Sequence, residues 1–362
     1  MKIVFLSADL CDGGAQRVIS VISGKLADKG LDIYLYLFCQ DERDYPINEK
    51  VILEIMCEDY AAYCKLSGLQ RARRIREYLK RVEPDVAIGF LQAGYALYIS
   101  SAGLNIKRIA SIRNNPEKID KSSGLRARIN KFWLSHADAL ILQNNSQKKY
   151  AEIKKWKNTV VIPNPITDKV VSNTTYNYRE KCTRIVMAGR LTGQKNYSLA
   201  IMAMKKLCKR YCDLTLHVYG EGPEKDVLVQ LIEQYGLINN IYLHGWVEDL
   251  FTEYKKSDLY LLTSNYEGMP NALMEAMALG LPCIATDCPT GPSDLIRDGE
   301  SGLLIPMNCV EELTSAIENI INMTVVQRKQ MGMMARKIIL ENYNSDVIAN
   351  RWIELLKKIV DN

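Results

Sequence analysis

The sequence predicts an α/β fold made of two Rossmann-like, doubly wound halves, and three observations support this prediction. The chain has 362 residues, which exceeds one ordinary core and suits two domains of common size. Short aliphatic and β-branched runs alternate with segments of helical spacing, a pattern typical of parallel sheets covered by helices. The series of runs occurs twice, on either side of a polar stretch that begins at Pro163.

Each half contains six predicted strands. The first series comprises residues 3–7, 32–38, 85–90, 109–112, 139–142 and 160–162. The second series comprises residues 184–188, 214–218, 241–244, 259–263, 283–286 and 302–305. The polar stretch 163–181 indicates a linker, so we place the domains at 1–166 and 167–362. We expect a final amphipathic helix, 345–360, to pack back across the domain junction.

Composition and charge limit the classes of protein. Hydrophobic residues make up 48% of the chain and charged residues 25%, and no apolar run is long enough to span a bilayer. Residues 1–6 predict a first strand and not a signal peptide, so we expect a cytoplasmic location. Residues 1–165 carry 26 Lys and Arg against 18 Asp and Glu, a net charge of +8, whereas the remainder carries −3. The basic half indicates an anionic partner, either nucleic acid or lipid headgroups.

Two predicted helices of the first half, 69–82 and 125–137, are rich in arginine and lysine. The apolar stripe of the first helix comprises Leu69, Ala72, Leu79 and Val82, and that of the second comprises Leu125, Ile129, Phe132 and Trp133. Both segments fit helices that lie on an anionic membrane surface. The alternative is that each is a solvated surface helix whose apolar face belongs to the core.

The segment 267–275, EGMPNALME, is the most informative for chemistry. Its proline and a later glycine predict a helix that begins near residue 271, with Glu267 just before the helix and Glu275 inside it. The N–H groups of residues 271–273 form a natural seat for an anion. Glu275 lies one turn on and can accept hydrogen bonds from hydroxyls beside that anion. A phosphorylated, hydroxyl-rich ligand such as a nucleotide sugar fits this arrangement.

A second segment, 189–196, follows one predicted strand and precedes a helix. Ligands of open α/β sheets bind beyond the carboxyl ends of strands, so Arg190 and Lys195 are placed to contact a diphosphate. Each cation alone would be ordinary surface charge. Together with residues 267–275, they indicate a single site for an anionic ligand.

Three glycine-containing turns also lie at predicted strand ends. The Gly-Gly pair at 13–14 lets backbone approach a phosphate, although the Gly-x-Gly-x-x-Gly pattern of dinucleotide sites is absent. Residues 220–223 and 244–247 follow two strands of the second half and would form a neighbouring wall, where a nucleobase meets backbone groups. Packing in the core is the alternative for His244 and Trp246.

The chain contains no Asp-x-Asp triplet, the usual means of holding a metal ion on a nucleotide-sugar diphosphate. We therefore expect no metal site and no cofactor. Side-chain cations and a helix N-terminus would neutralise the leaving group instead.

These motifs, in this order, resemble glycosyltransferase family 4, whose GT-B architecture has two facing Rossmann-like domains. The resemblance covers nearly the whole chain and rests on residues 13–15, 189–195, 220–223 and, above all, 267–275. It implies retaining transfer of a sugar from a nucleotide-activated donor. A sub-group that builds bacterial surface polysaccharides and lipid-linked oligosaccharides is similar in residues 111–116 and 287–294.

The resemblance also implies roles for single residues. Glu267 would hold the donor sugar as a catalytic residue, and Arg190 and Lys195 would stabilise the departing phosphate. The donor-binding set that the resemblance implies comprises Gly14, Gly220, Trp246, Val247, Gly268, Met269, Asn271, Ala272, Leu273 and Glu275. Within that set, the N–H of Leu273 would contact the diphosphate and Glu275 the ribose hydroxyls.

One departure from the family pattern concerns the acceptor side. Many members carry a histidine in the N-terminal domain near the reacting carbon, whereas the only histidine of the first half is His136. The comparable strand-end loop contains Arg113 and Asn115, which are therefore candidates for contact with the acceptor.

The leading hypothesis is a cytoplasmic glycosyltransferase, bound peripherally to the inner leaflet, that moves a hexose or N-acetylhexosamine from a UDP-sugar to a glycan on a polyprenyl diphosphate. The choice of UDP as the nucleotide rests only on what is usual in the family that the chain resembles. One alternative is a non-hydrolysing nucleotide-sugar epimerase, but His136, His217 and His244 form no evident cleft motif for acid–base chemistry. A nucleic-acid-binding module is the other alternative, and the basic helices lack a recognised motif for it.

Overall fold

The computed structural model describes residues 1–11, 13–90, 93–113, 115–116, 124–150, 156, 158–172 and 176–361. The chain divides into two compact units. The first consists of Met1–Pro165 with Ser345–Asn362, and the second consists of Ile166–Asn344. Each unit contains one parallel sheet with helices on both faces, which confirms the predicted α/β class.

The first unit holds a seven-stranded sheet in the order β3-β2-β1-β4-β5-β6-β7. Its strands are β1 (Lys2–Ser7), β2 (Asp32–Leu37), β3 (Ile52–Ile55), β4 (Val86–Phe90), β5 (Lys107–Ser111), β6 (Ala139–Leu142) and β7 (Thr159–Val161). Ile3 of β1 pairs with Ile33 of β2 on one side and with Val86 of β4 on the other. The strand order therefore reverses between β1 and β4.

Within residues 1–165, the helices of the first unit are α1 (Gly14–Asp28), α2 (Tyr60–Lys65), α3 (Gly68–Val82), α4 (Ala93–Ser100) and α5 (Leu125–Ser135), with a 3₁₀ turn at Ser146–Lys149. A capping box starts α3, because the Ser67 hydroxyl accepts from the N–H of Gln70 while the Gln70 side chain accepts from the N–H of Ser67. Helix α3 ends at Glu83, which takes the left-handed conformation.

The second unit holds a six-stranded sheet in the order β10-β9-β8-β11-β12-β13. Its strands are β8 (Arg184–Ala188), β9 (Thr215–Tyr219), β10 (Ile241–Gly245), β11 (Leu259–Leu262), β12 (Cys283–Thr286) and β13 (Leu303–Ile305). Successive residues of one strand enter different cores, since Ile185 belongs to one buried cluster and Val186 to another. Burial on both faces explains why these strands read as continuous apolar runs.

The helices of the second unit are α6 (Asp168–Ser172), α7 (Tyr197–Leu207), α8 (Lys225–Gln234), α9 (Leu250–Lys255), α10 (Asn271–Leu279), α11 (Pro292–Leu295), α12 (Val310–Asn322) and α13 (Val325–Tyr343). Helix α6 lies within the stretch 163–181 that the sequence analysis treats as a linker. Residues 173–175 of that stretch lie outside the described residues.

The final helix, α14 (Ser345–Val360), packs in the first unit. Trp352 is fully buried, with its ring centroid 6.2 Å from that of Phe5 and 6.4 Å from that of Phe90. An ion pair between Asp346 and Lys25 of α1 adds a contact of 3.2 Å at the surface. The end of the chain thus completes the core of the unit in which the chain begins.

Strand β3 is absent from the sequence prediction. It has only four residues and forms one edge of the first sheet. Ile52 and Leu53 are 53% and 39% exposed, and Glu54 interrupts the apolar run. A short, half-exposed edge strand has no clear periodicity, so hydrophobic pattern alone does not reveal it.

Candidate functional site

The strand order of the second unit reverses between β8 and β11, which lie side by side. In open parallel sheets, the loops that leave the carboxyl ends of two such strands diverge and leave a crevice, where ligands bind. The two loops here are residues 189–196 after β8 and residues 263–270 after β11. They contain Arg190, Lys195 and Glu267.

Lys195 and Glu267 form an ion pair across these two loops. The distance from Lys195 Nζ to Glu267 Oε1 is 2.7 Å, and the Ser264 hydroxyl donates to the same oxygen at 2.6 Å. The Lys195 side chain is 18% exposed and that of Glu267 is 6% exposed. A largely buried pair of this kind is held in place, since either charge alone would be costly to bury.

Further hydrogen bonds join the two loops. The Thr263 hydroxyl donates to the carbonyl groups of Lys195 and Asn196, both at 2.9 Å. The N–H of Asn265 donates to the carbonyl of Gln194 at 2.8 Å. Asn196 takes the left-handed conformation with φ of 49° and directly precedes α7. The position of the Lys195 ammonium group is therefore fixed from both sides.

Helix α10 begins beside this ion pair. Pro270 is its N-cap, with φ of −78°, and the N–H of Met274 donates to the carbonyl of Pro270 at 3.1 Å. Gly280 ends the helix in the left-handed conformation with φ of +87°. The predicted donor residues Asn271, Ala272 and Leu273 form its first turn, and Gly268 and Met269 lie in the approach to it. A helix start at this place favours an anion through its N–H groups and dipole.

Glu275 lies one turn into α10 and is only 3% exposed. Both carboxylates of the segment 267–275 are thus buried at the same edge of the sheet, one before the helix and one inside it. Buried carboxylates are rare unless they have partners.

Glycines allow the strand-end loops to approach each other. Gly220 follows β9 with φ of +134°, and a Cβ atom there would lie 2.1 Å from the carbonyl oxygen of Gly189. A Cβ atom on Gly222 would lie 2.3 Å from the carbonyl oxygen of Leu191. No larger residue fits either position without moving backbone, because real Cβ atoms do not come within 3.0 Å of other heavy atoms.

The loop after β8 is held by a hydrogen bond from the helix that follows it, whereas Arg190 of the same loop is exposed to water. The buried Tyr197 hydroxyl donates to the carbonyl of Gly189 at 2.8 Å. Arg190 is exposed and forms no ion pair within the described part of the chain. Its guanidinium group is consequently available to a ligand.

The segment at the end of β10, residues 244–247, differs from the sequence prediction. Trp246 is 53% exposed and Val247 is half-buried, so packing in the core is the wrong interpretation for Trp246. His244 lies within β10 and not after it, and it is exposed as well. The antiparallel bridge between Gly220 and Gly245 joins this wall to the neighbouring loop.

Two histidines of the second unit lie together, a contact that the sequence pattern does not indicate. Nδ1 of His217 lies 2.8 Å from Nε2 of His244. Arg184 Nη1 lies 2.9 Å from Nε2 of His217 and can only donate, so His217 carries its proton on Nδ1 and donates it to His244. Burial and the Arg184 charge lower the pKa of His217 to about 4, and the pKa of His244 is lowered by partial desolvation of its ring and by the same charge.

The remaining members of this cluster are Tyr219 and Glu253. Arg184 Nη2 donates to the Tyr219 hydroxyl at 2.9 Å and to Glu253 Oε2 at 3.0 Å. The ring of Tyr219 stacks on His244 with centroids 4.5 Å apart. The cluster thus joins β8, β9, β10 and α9 and contains neither Lys195 nor Glu267.

In the first unit, Gly14 is the first residue of α1 and follows the N-cap Gly13. Arg113 and Asn115 follow β5, and both are buried. Arg113 donates from Nε to the Ser111 hydroxyl at 2.7 Å and from Nη1 to Asn164 Oδ1 at 2.9 Å. Burial lowers the pKa of Arg113 to about 9. Asn114, between the two candidates, lies outside the described residues.

The apolar stripe predicted for 69–82 is wrong in part. Leu69 is 81% exposed, whereas the buried face of α3 consists of Ile75, Tyr78, Leu79 and Val82. All five arginines of α3 bind within the unit: Arg71, Arg74 and Arg76 donate to main-chain carbonyl groups, and Arg73 and Arg81 pair with Glu77 and Glu54. The two ion pairs offset the charges of Arg73 and Arg81, so α3 offers a membrane less net positive charge than its arginine count indicates.

In α5, Trp133 is buried and Phe132 is 53% exposed. The side chains of Leu125 and Ile129, which belong to the other predicted stripe, and that of Arg126 beside it lie outside the described residues. None of the helices that the structure describes combines the length and apolar character needed to cross a membrane.

Sequence reasoning missed Ser264, Thr263 and Tyr197, whose hydroxyls fix the two loops. Serine, threonine and tyrosine are common in loops, and nothing in their local pattern marks these three. Thr263 and Ser264 lie near Lys195 only because β8 pairs with β11, which a sequence alone does not show.

Comparison with known proteins adds independent information. Residues 174–338, which lie within the second unit, match the family described as Glycosyl transferases group 1. An uncharacterized glycosyltransferase of Methanocaldococcus jannaschii is 31% identical over 251 residues, covering 63% of this chain and 62% of that protein. The chain thus spans less than two thirds of this relative's length.

Two other relatives match over nearly their whole length. The amylovoran biosynthesis glycosyltransferase AmsD of Erwinia amylovora is 27% identical, with coverage of 95% of this chain and 96% of that protein. A Campylobacter jejuni protein is 24% identical over 99% of both chains. Its name describes an α-1,4-N-acetyl-D-galactosaminyltransferase that acts on a GalNAc-containing diNAcBac-PP-undecaprenol.

Solved structures match the fold. Sucrose-phosphate synthase from Thermosynechococcus elongatus superposes with a TM-score of 0.84 at 16% identity, over 99% of this chain and 98% of that chain. Anabaena HepE, solved with UDP and glucose, superposes with a TM-score of 0.80 at 19% identity, over 99% and 100%. At these identities the likeness shows the fold, which is GT-B.

Proposed function

We propose that this chain is a retaining glycosyltransferase, because its fold is GT-B and its residues 174–338 match the family described as Glycosyl transferases group 1. It transfers a hexose or N-acetylhexosamine from a UDP-sugar to a glycan, in the assembly of a surface polysaccharide or related glycoconjugate. The acceptor glycan is carried on a polyprenyl diphosphate. The reaction needs no metal ion and no cofactor.

The Lys195–Glu267 ion pair, which lies where the strand order reverses between β8 and β11, is the observation that carries this proposal. The 2.7 Å contact places a cation and a carboxylate beside the start of α10, at the edge of the sheet where nucleotides bind in this fold class. A sugar diphosphate presents an anion and hydroxyls close together. The site offers a counterpart for each: Lys195, Arg190 and the N-terminus of α10 for the diphosphate, and Glu267 and Glu275 for hydroxyls.

In the reaction, the bond from C1 of the sugar to the diphosphate oxygen breaks and a bond from C1 to the acceptor oxygen forms on the same face. Negative charge grows on the diphosphate as it leaves, so fixed cations and helix N–H groups stabilise the transition state more than the ground state. A phosphate oxygen of the departing diphosphate takes the acceptor proton. Glu267 orients the sugar and balances the positive charge that grows on C1.

The choice of UDP has indirect support. Anabaena HepE was solved with UDP, with UDP and glucose, and with UDP-glucose. Trp246 is exposed beside the loop that begins at Gly220, and an exposed aromatic ring there provides a surface for a nucleobase. The remaining donor contacts of the second unit would come from Val247, Gly268 and the first turn of α10.

A lipid-linked acceptor is supported by the name of the Campylobacter jejuni relative, which describes an undecaprenol-linked glycan. On the acceptor side we retain Arg113 and Asn115 at the carboxyl end of β5. Arg113 is 8% exposed and bound to Ser111 and Asn164, so its part would be to hold the acceptor loop in shape and to supply a positive field.

We further propose that the first unit rests on the inner leaflet of the cell membrane as a peripheral, cytoplasmic protein, through helices 69–82 and 125–137. Leu69, Lys80 and Phe132 are exposed, and they supply apolar and cationic contacts. Each free cation near an anionic surface contributes about 1 kcal/mol. Flotation with phosphatidylglycerol vesicles at low salt tests this part, and a Leu69→Ser, Phe132→Ser double variant should lose any binding that is found.

The test of the proposed function is a thermal-shift panel followed by product analysis. UDP and UDP-sugars should raise the melting temperature, since a ligand of the native state stabilises it by mass action. Donors that do so are then incubated with extracted polyprenyl-linked glycans. A glycosylated lipid supports the proposal, whereas a new sugar epimer without acceptor would indicate an epimerase. Binding of duplex DNA or RNA in a gel shift at physiological salt, with no nucleotide effect, would indicate a nucleic-acid module.

A further inference from the structure

The loop after β12, residues 287–291, forms hydrogen bonds with the turn that contains Glu267. The Thr290 hydroxyl donates to the carbonyl oxygen of Glu267, and the N–H of Glu267 donates to the carbonyl of Pro289 at 3.4 Å. Both main-chain groups of Glu267 are therefore bound to the same loop. Thr290 and Glu267 are each 5% exposed, so these bonds are shielded from water.

Thr290 makes its bond from an unfavourable backbone conformation. Its φ is +64°, in the left-handed region, where a β-branched residue is an outlier. Asparagine or glycine would adopt this conformation at less cost. The strain is comparable to what one neutral hydrogen bond returns, so overall stability alone does not explain a threonine at this position.

The neighbouring Gly291 brings the loop close to the start of α10. Its φ is +99°, and a Cβ atom there would lie 2.8 Å from Cδ of Pro270 and 3.1 Å from the carbonyl oxygen of Gly268. The Thr286 hydroxyl, at the end of β12, donates to the carbonyl of Ser264 at 2.6 Å. Ser264 in turn holds the Glu267 carboxylate, so β12 and its loop support both the backbone and the side chain of Glu267.

We propose that Thr290 is a positioning residue for donor chemistry: its hydroxyl, held by a strained backbone, fixes the Glu267 carbonyl and so sets the direction of the carboxylate and of the 268–271 approach to α10. This inference rests on the proposed function for its effect on turnover, but its effect on local order does not depend on any substrate. Thr290 acts through Glu267 and need not touch the donor.

Three substitutions separate the hydroxyl from the backbone strain. Thr290→Ser keeps the hydroxyl, Thr290→Val keeps the branched shape without it, and Thr290→Gly removes both the hydroxyl and the strain. Glu83→Gly is the matched control, because Glu83 is an exposed residue of the first unit with φ of +49°. This substitution removes the backbone strain of the left-handed C-cap residue of α3, which is far in sequence from the site.

The deciding measurement is hydrogen–deuterium exchange of the full chain, without ligand, over residues 264–279. Thr290→Val and Thr290→Gly should each exchange at least tenfold faster than the wild type in this segment, while Thr290→Ser and Glu83→Gly keep wild-type exchange. The melting temperature of Thr290→Gly should equal or exceed that of the wild type. Wild-type exchange in both Thr290→Val and Thr290→Gly would overturn the proposal.

Turnover provides a second readout, using release of UDP from the donor that the wild type accepts. Thr290→Gly should lose tenfold or more in kcat with KM for the donor changed by less than threefold, although it is no less stable. Full turnover in Thr290→Gly would mean that the loop serves stability alone and would overturn the positioning role. If the wild type itself releases no UDP from any UDP-sugar, the proposed function fails, and the exchange result still decides the role of Thr290.

Discussion

Lys195 and Glu267 lie 2.7 Å apart, Nζ to Oε1, although 72 residues separate them in the chain. The contact exists because β8 and β11 are neighbours in the sheet and each residue belongs to the loop at the carboxyl end of its strand. In the absence of a ligand, the carboxylate balances the ammonium charge. A sugar diphosphate that enters the site offers Lys195 a second anion, so the pair can respond to substrate without leaving a charge unbalanced.

The first prediction concerns this ion pair. Lys195→Met and Glu267→Gln should each slow sugar transfer by at least about 100-fold, because each removes a charge that stabilises the transition state. Each single variant should also lose about 2 kcal/mol of unfolding free energy, since its former partner remains buried without a counter-charge. The double variant should regain part of that loss, which a double-mutant cycle by urea denaturation measures.

Lys206→Ala is the matched control for this pair. Lys206 contacts Glu311 at the surface of the same unit, and both side chains are largely exposed. Exposed pairs contribute about 0–1 kcal/mol, so this variant should differ little from the wild type in stability and in turnover. Strictly additive losses in the Lys195 and Glu267 variants would mean that the contact has no energetic role.

The second prediction concerns Glu275. Glu275→Gln should weaken UDP binding about tenfold, or about 1.4 kcal/mol, while leaving pyrophosphate binding unchanged, because this carboxylate is proposed to accept from ribose hydroxyls. Isothermal titration with UDP and with pyrophosphate measures the two affinities. The exposed Glu233 of α8 supplies the control Glu233→Gln. Equal weakening of both ligands would place Glu275 at the diphosphate or implicate a folding defect.

The third prediction concerns Gly220. Gly220→Ala should lower unfolding stability by roughly 3 kcal/mol or more, because a Cβ atom would lie 2.1 Å from the carbonyl oxygen of Gly189 and the φ of +134° disfavours any side chain. Gly236 has φ of +68°, and a Cβ atom there would meet open space, so Gly236→Ala should cost only about 1 kcal/mol. Denaturant midpoints of the two variants provide the comparison, and similar losses would contradict the close approach of the two loops.

The fourth prediction concerns pH. The pKa of His217 is lowered from its usual 6.5 to about 4 in the folded state, so the unfolded chain binds a proton below pH 6.5 that the native state does not. The contribution of His217 to stability is therefore complete above pH 6.5 and is lost as the pH falls toward 4. We expect a loss on the order of 2 kcal/mol across this window from His217.

His217→Gln tests the source of this pH dependence, since its amide can still accept from Arg184 but does not titrate. Unfolding free energies of the variant at pH 7 and pH 5 should differ less than those of the wild type. His244 shifts in the same direction, so some dependence should remain. An unchanged pH dependence in the variant would exclude His217 as its main source.

The sequence predicts the two parallel sheets and the helix at residues 271–279 because their signals are local. Strands buried on both faces give continuous apolar runs, and a proline before the helix together with a glycine at its end frames α10. The sequence does not predict the lateral order of the strands, because that order depends on pairing between segments that are far apart in the chain. Strand β3 is missed because its exposed residues carry no burial pattern.

The same distinction applies to the site. Arg190, Lys195, Glu267 and Glu275 are recognisable because charged residues at strand ends and helix starts are chemically distinctive. Ser264 and Thr290 are not, because a hydroxyl acquires its meaning only from the carboxylate or carbonyl that it reaches. The His217–His244 contact is missed for a related reason: His244 lies inside β10, and only the register of β9 with β10 brings the two rings together.

The most direct test of the proposed donor site is a crystal structure of the protein with UDP. We expect the diphosphate to lie at the N-terminus of α10, within hydrogen-bonding distance of Lys195 and the N–H of Leu273, with the ribose hydroxyls at Glu275. UDP bound at another place, with Lys195 and Glu267 still paired and the start of α10 without phosphate, would contradict it.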